Sequence, residues 1–141
     1  MECIAYKTGY KYQLVNEYST SITISPGEDI TSEYIHLSAA GEIIIKKGYA
    51  WDGPSGPTID TLNFMRGSLV HDALYQLMRQ QKLSKEKYRK PADELLRKMC
   101  IEDGMTSVRA WWVYRGVRLG GGSAADPGNK KQIIKAPKAC Q

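Results

Sequence analysis

The stretch WDGPSGPTID, residues 51–60, divides the chain into two parts that cannot share one kind of secondary structure. It holds two glycines and two prolines in ten positions. Proline removes a backbone donor and fixes φ, and glycine relaxes the backbone, so neither a ladder strand nor a helix runs through such a stretch. Before it, YQLVNEY and TSITISP are rich in β-branched and aromatic residues, with Pro26-Gly27 marking a turn. YIHLSAAGEIIIKKGYAW adds two more strands around Ala39-Ala40-Gly41, with an alternation too imperfect to set the pairing order. His36, between Ile35 and Leu37, reads as a surface strand residue.

After the divide the period changes. Leu69, Val70, Leu74, Leu77 and Met78 recur at helical spacing, predicting a helix over 64–81. KLSKEKYRK breaks that pattern, and Pro91 suits the first turn of a second helix over 91–103, stopped by Gly104. Its buried stripe is Leu95, Leu96, Met99 and Cys100. Thr106 or Ser107 caps a third helix through VRAWWVYRGVRL, over 106–119. The expected class is therefore α+β, a β-rich N-terminal half packed against about three helices in one domain over 1–120. From 121 to 141 the sequence lacks apolar periodicity and reads as a flexible basic tail.

A chain of 141 residues, 42% apolar and 25% charged, has the balance of a soluble globular domain. Its apolar runs are too short to span a bilayer, and no apolar stretch follows the charges of MECIAYKTGYKYQ, so no signal peptide is expected. Cys3, Cys100 and Cys140 lack the spacing of a zinc site or a disulfide framework and read as reduced thiols. The net charge of +5 owes much to Lys130, Lys131, Lys135 and Lys138 in the tail. A basic tail can touch an anionic surface, but no nucleic-acid motif with interleaved aromatics accompanies it.

The candidate chemistry lies in HDALY, 71–75. Adjacent helical residues diverge by about 100°, so His71 and Asp72 serve neighbouring atoms rather than one. A His held by a buried Asp can activate water, the Asp fixing the tautomer. Asp93, near the start of the second helix, is the candidate partner. Simple antiparallel packing disfavours that contact unless residues 81–91 run back along the first helix. A carboxylate facing turned-in carbonyls suits calcium, and glycine lets a backbone approach an ion or oxyanion. The same His71–Asp93 pair can equally serve as a polar lock between helices.

Trp51, Gly53 and Pro54, then His71, Asp72 and Tyr75, then Ala92 and Asp93 together resemble the secreted-type sn-2 phospholipases, and more closely the phospholipase domain of parvovirus capsid proteins. The interval of 22 residues from His71 to Asp93 is similar to that of the viral domain. Over roughly 10–120 the chain also resembles a family of unknown function found mainly in tailed-phage and prophage genomes, with the same loop, HDxLY and AD elements.

The phospholipase resemblance implies His71 as general base, Asp93 as its orienting partner and Tyr75 bonded to Asp93. It implies calcium held by Asp72 and by backbone carbonyls near Trp51, Gly53 and Ser55, with the Gly53 amide polarising an ester carbonyl. Asp52, which departs from the pattern, inserts a carboxylate into the loop that could bind the metal itself or block a lipid headgroup. No disulfide framework of the secreted enzymes is present, and no exposed apolar interfacial surface stands out. The resemblances imply a phospholipid or other acyl ester as substrate, other virion proteins as partners, and residence in a host cytoplasm or a phage virion. The alternative is a non-catalytic virion-associated or host-interaction protein in which the HD helix is structural.

Overall fold

The computed structural model describes residues 4–6, 12–51, 62–122, 125 and 134–136. Among the described residues all strand pairs are antiparallel. β1 (Ile4–Tyr6) pairs with β8 (Ile134–Ala136), and β2 (Tyr12–Gln13) pairs with β7 (Ala50–Trp51). Between them β3 (Tyr18–Ser21), β4 (Ile30–Thr31), β5 (Ile35–Leu37) and β6 (Glu42–Ile45) form one sheet in the order β3-β6-β5-β4.

The register supplies what the uneven alternation leaves open. Ile35 lies opposite Ile45 and Leu37 opposite Ile43, so four fully buried aliphatic chains share one face. His36 lies on the other face and meets the Thr31 hydroxyl at 3.0 Å, in the structural role expected of it. The turn joining β5 to β6 needs Gly41, whose φ is +94°. A Cβ there would lie 2.8 Å from the Ile24 carbonyl oxygen.

Three helices follow: α1 (Leu62–Arg79), α2 (Lys85–Glu102) and α3 (Ser107–Gly120). The chain is thus α+β, with a β-rich front and three helices. α1 is the central element. Leu69, Val70, Leu74 and Leu77 join the buried face of the sheet in one core, while Phe64 joins Leu96, Cys100 and Ala110 in a second core between the helices. Burial pushes the Cys100 thiol up to about 11, so it packs as a small apolar group, as expected. Where α1 meets α2, a Cβ on Gly67 would lie 3.1 Å from Leu96 Cδ1 and 3.3 Å from Cys100 Sγ, so the missing side chain permits the close approach.

The second helix differs from its sequence reading. It begins at Lys85 and not near 91, because the Ser84 hydroxyl accepts the Lys87 amide as an N-cap and Glu86 stands in the first turn. Pro91 is therefore inside the helix, where its ring nitrogen cannot bond the Lys87 carbonyl. Lys85 to Lys90 carry no apolar stripe, yet they are largely good helix formers and Tyr88 packs on the main core.

The sequence places the end of the folded domain near 120. Ala125 is buried in the main core, and residues 134–136 pair with β1. Among the described residues no helix is long and apolar enough to cross a membrane.

Candidate functional site

The earlier start of α2 decides the geometry of the site. It places Asp93 near the middle of α2, and His71 is near the middle of α1. The two helices run antiparallel, since Arg66 reaches Asp103, Gly67 faces Cys100 and His71 meets Asp93. Helix centres therefore face each other, and no returning segment is needed.

His71 Nε2 lies 2.6 Å from Asp93 Oδ1, and the Tyr75 hydroxyl donates to the same oxygen at 2.6 Å. The Arg118 guanidinium donates from α3 to Asp93 Oδ2 at 2.9 Å. Asp93 is fully buried. Burial by itself pushes its carboxyl up, but hydrogen bonds from His71 and Tyr75, the positive charge His71 can carry and the bond from Arg118 together hold it below the usual range. The carboxylate is thus ionised and accepts only, so His71 Nε2 carries the hydrogen. A neutral imidazole then keeps its lone pair on Nδ1.

Tyr75 is held in place twice. Its ring lies against the His71 ring with centroids 4.2 Å apart, and its hydroxyl accepts from Arg89 Nε at 3.3 Å. Burial, followed by its bond to Asp93, raises its phenol above the ordinary value, so Tyr75 stays a donor. Arg89 Nη2 also donates to the carbonyls of Val117 and Arg118 at 3.0 and 2.9 Å, closing the last turn of α3 over the pair.

Asp72 leaves α1 toward the sheet, where the Tyr49 hydroxyl donates to its Oδ2 at 3.1 Å. Tyr49 stacks on Trp51, whose indole N–H donates to the Ser68 hydroxyl at 3.2 Å, one helical turn before Asp72. β7 therefore runs beside α1 just where the glycine-rich stretch begins. Asp52, Gly53 and Ser55 lie outside the described residues. No group of three or more His, Cys, Asp or Glu among the described residues could hold a metal.

The structure thus brings His71, Asp93 and Tyr75 together and sets Asp72 apart, bonded to the Tyr49 hydroxyl. Sequence reasoning missed Arg118, Arg89 and Tyr49. Arg118 is 25 residues beyond Asp93 on another helix, and no short-range spacing signals it. It matters chemically, because a cation on Oδ2 offsets part of the charge by which Asp93 would strengthen the imidazole as a base.

The fold and this cluster define an α+β domain built around a buried carboxylate that three helices share. The chain belongs to a family of proteins of unknown function, DUF1353, whose model matches residues 29–117. The match takes in His71, Asp72, Tyr75, Arg89 and Asp93 and ends one residue before Arg118. No curated protein and no solved structure matches the chain.

Proposed function

We propose that this is a phage-type protein hydrolysing an acyl ester of the phospholipid kind, with water activated by His71 and no covalent intermediate. The observation that carries the reading is the 2.6 Å contact between His71 Nε2 and the fully buried Asp93 carboxyl group. In this scheme Nδ1 takes a proton from water as the oxygen attacks the ester carbonyl. Asp93 holds the ring and stabilises the imidazolium, and the proton then passes to the leaving alkoxide. Tyr75 fixes the Asp93 carboxylate.

The donors that the reading assigns to a calcium ion are all oxygens, which suits a hard cation: Asp72 and the carbonyls of Trp51, Gly53 and Ser55, with Asp52 available as a further carboxylate. Bound there, calcium would supply Lewis-acid polarisation of the ester carbonyl, alongside the Gly53 amide.

One observation favours a second reading. Arg118, Asp93, Tyr75 and Arg89 link all three helices through buried and part-buried polar contacts, as expected of a lock in a non-catalytic virion-associated or host-interaction protein.

One experiment separates the readings: phospholipid hydrolysis and thermal melting, each with calcium and with chelator. The hydrolase reading expects calcium-dependent cleavage that His71→Gln removes. It also expects a calcium-dependent rise in melting temperature that Asp72→Asn abolishes; saturation to a hundred times Kd would add about 2.7 kcal/mol. If wild type cleaves nothing and His71→Gln only costs roughly 1–3 kcal/mol of stability, the lock is the function of the pair.

A further inference from the structure

The outer face of α3 is unlike any other surface of the described chain. Val108 is 70% exposed, Trp111 40%, Trp112 65% and Leu119 77%. At 100° per residue Val108, Trp112 and Leu119 fall within about 40° of one another, roughly opposite the buried Ala110. Arg115 falls in the same stripe and Trp111 flanks it. The stripe is about 16 Å long, from Val108 to Leu119. α3 thus has two apolar faces, one spent on the helix core and one presented to solvent. Isolated exposed apolar residues are ordinary, but a tryptophan and two aliphatics on one line with a second tryptophan at its edge are not.

The charge on this helix is one-sided. α3 carries Arg109, Arg115 and Arg118 and no Asp or Glu. Arg115 lies over the Trp111 ring, 5.5 Å from its centroid, and the two tryptophan rings meet edge-on with centroids 5.0 Å apart. This composition fits the headgroup level of a bilayer. Indole rings partition there with an apolar body and a polar N–H, and arginine stems lie along apolar surface with their heads on phosphate. A second copy of the chain fits less well. A two-fold contact centred on the stripe would set Arg115 against its own copy, with no acid on either helix to compensate.

We infer that the Val108–Trp111–Trp112–Arg115–Leu119 face of α3 docks on an anionic phospholipid surface. This goes beyond the hydrolase reading and does not depend on it. It does bear on the same region: Arg118 of α3 bonds Asp93, and a Cβ on Gly121 would lie 3.0 Å from the Tyr75 hydroxyl. A membrane engaged through α3 therefore meets the helix that closes over the His71–Asp93 pair.

The test mixes the full chain with vesicles of phosphatidylcholine alone or with phosphatidylglycerol added, and measures the bound fraction by flotation and the tryptophan emission. The sequence holds three tryptophans, and Trp51 is buried, so a blue shift reports Trp111 and Trp112. Binding is expected on the anionic vesicles, weakened by salt. Arg115→Gln should weaken it about fivefold on anionic vesicles and not on neutral ones. Trp112→Glu with Leu119→Glu should weaken it more than about tenfold, with an unchanged circular dichroism spectrum. His71→Gln should bind as wild type does under either reading, and wild type that binds anionic vesicles but cleaves no ester with calcium present leaves the docking inference intact and removes the hydrolase reading. No partition onto anionic vesicles overturns the inference. So does equal binding by the double Glu variant, or self-association that this variant abolishes in a wild type that ignores vesicles.

Discussion

Replacing Asp93 by Asn keeps the shape of the side chain and removes its ability to accept on both sides. In the native site three donors converge on the carboxylate: the imidazole N–H and the phenol O–H on Oδ1, and the Arg118 guanidinium on Oδ2. An amide has one oxygen. If that oxygen faces His71 and Tyr75, its NH2 group confronts a cation; if it faces Arg118, the NH2 confronts two donors. The first arrangement costs less, because Arg118 is 29% exposed and can turn to water. It still forfeits one charge-assisted bond, about 1.5–3 kcal/mol, and makes two others neutral at about 1 kcal/mol each. The sum is about 3–5 kcal/mol, the range found on breaking buried ion pairs. For a chain of this length that is roughly 10–20 °C in melting temperature. Calorimetry at pH 7 reads it directly, with urea unfolding as a second measure. Adding Arg118→Met removes the confronted cation and should restore at least about 1 kcal/mol. A loss below about 1 kcal/mol for Asp93→Asn alone, or no recovery in the double variant, would show that the three contacts do not act as one network. If the site hydrolyses esters, the same variant should also lose activity by up to about 10⁴, since a neutral amide no longer stabilises the imidazolium that forms as His71 takes the proton.

Two further outcomes are expected. The folded state holds the Asp93 carboxyl below its ordinary value of 3.8, so the unfolded chain takes up its proton first as the pH falls. The stability that Asp93 contributes is therefore complete above about pH 4 and is lost as the pH falls further, through the folded value. Melting curves between pH 6 and 2.5 should fall more steeply below pH 4 for wild type than for Asp93→Asn, and parallel curves would remove the argument. A chain ending at Gly122 loses the buried Ala125 and the β8 partner of β1, and should melt several degrees lower, for about 1–3 kcal/mol. An unchanged melting temperature would confine the fold to 1–120.

Local chemistry made part of this protein legible in advance. Proline and glycine act on their own backbone, so WDGPSGPTID marks the change from strands to helices without reference to any other part of the chain. Period-3.6 apolar spacing similarly exposes α1 and the stripe Leu95, Leu96, Met99 and Cys100, and a capping residue at Thr106 or Ser107 marks the start of α3. Separation in sequence hid the rest. Helix α2 starts at a polar segment because Ser84 caps it and Tyr88 finds a core, and that tertiary choice moves Asp93 from the first turn to mid-helix, opposite His71. Arg118 reaches the same carboxylate from 25 residues away, a distance over which no residue spacing carries information. The outward stripe of α3 was hidden for a different reason. VRAWWVYRGVRL has apolar residues nearly all round, and only the packing of Ala110 inward decides that Val108, Trp112 and Leu119 face water. Propensity and spacing are properties of neighbours along the chain; convergence on one carboxylate, and the choice of which apolar face is left uncovered, belong to the assembled three-helix arrangement alone.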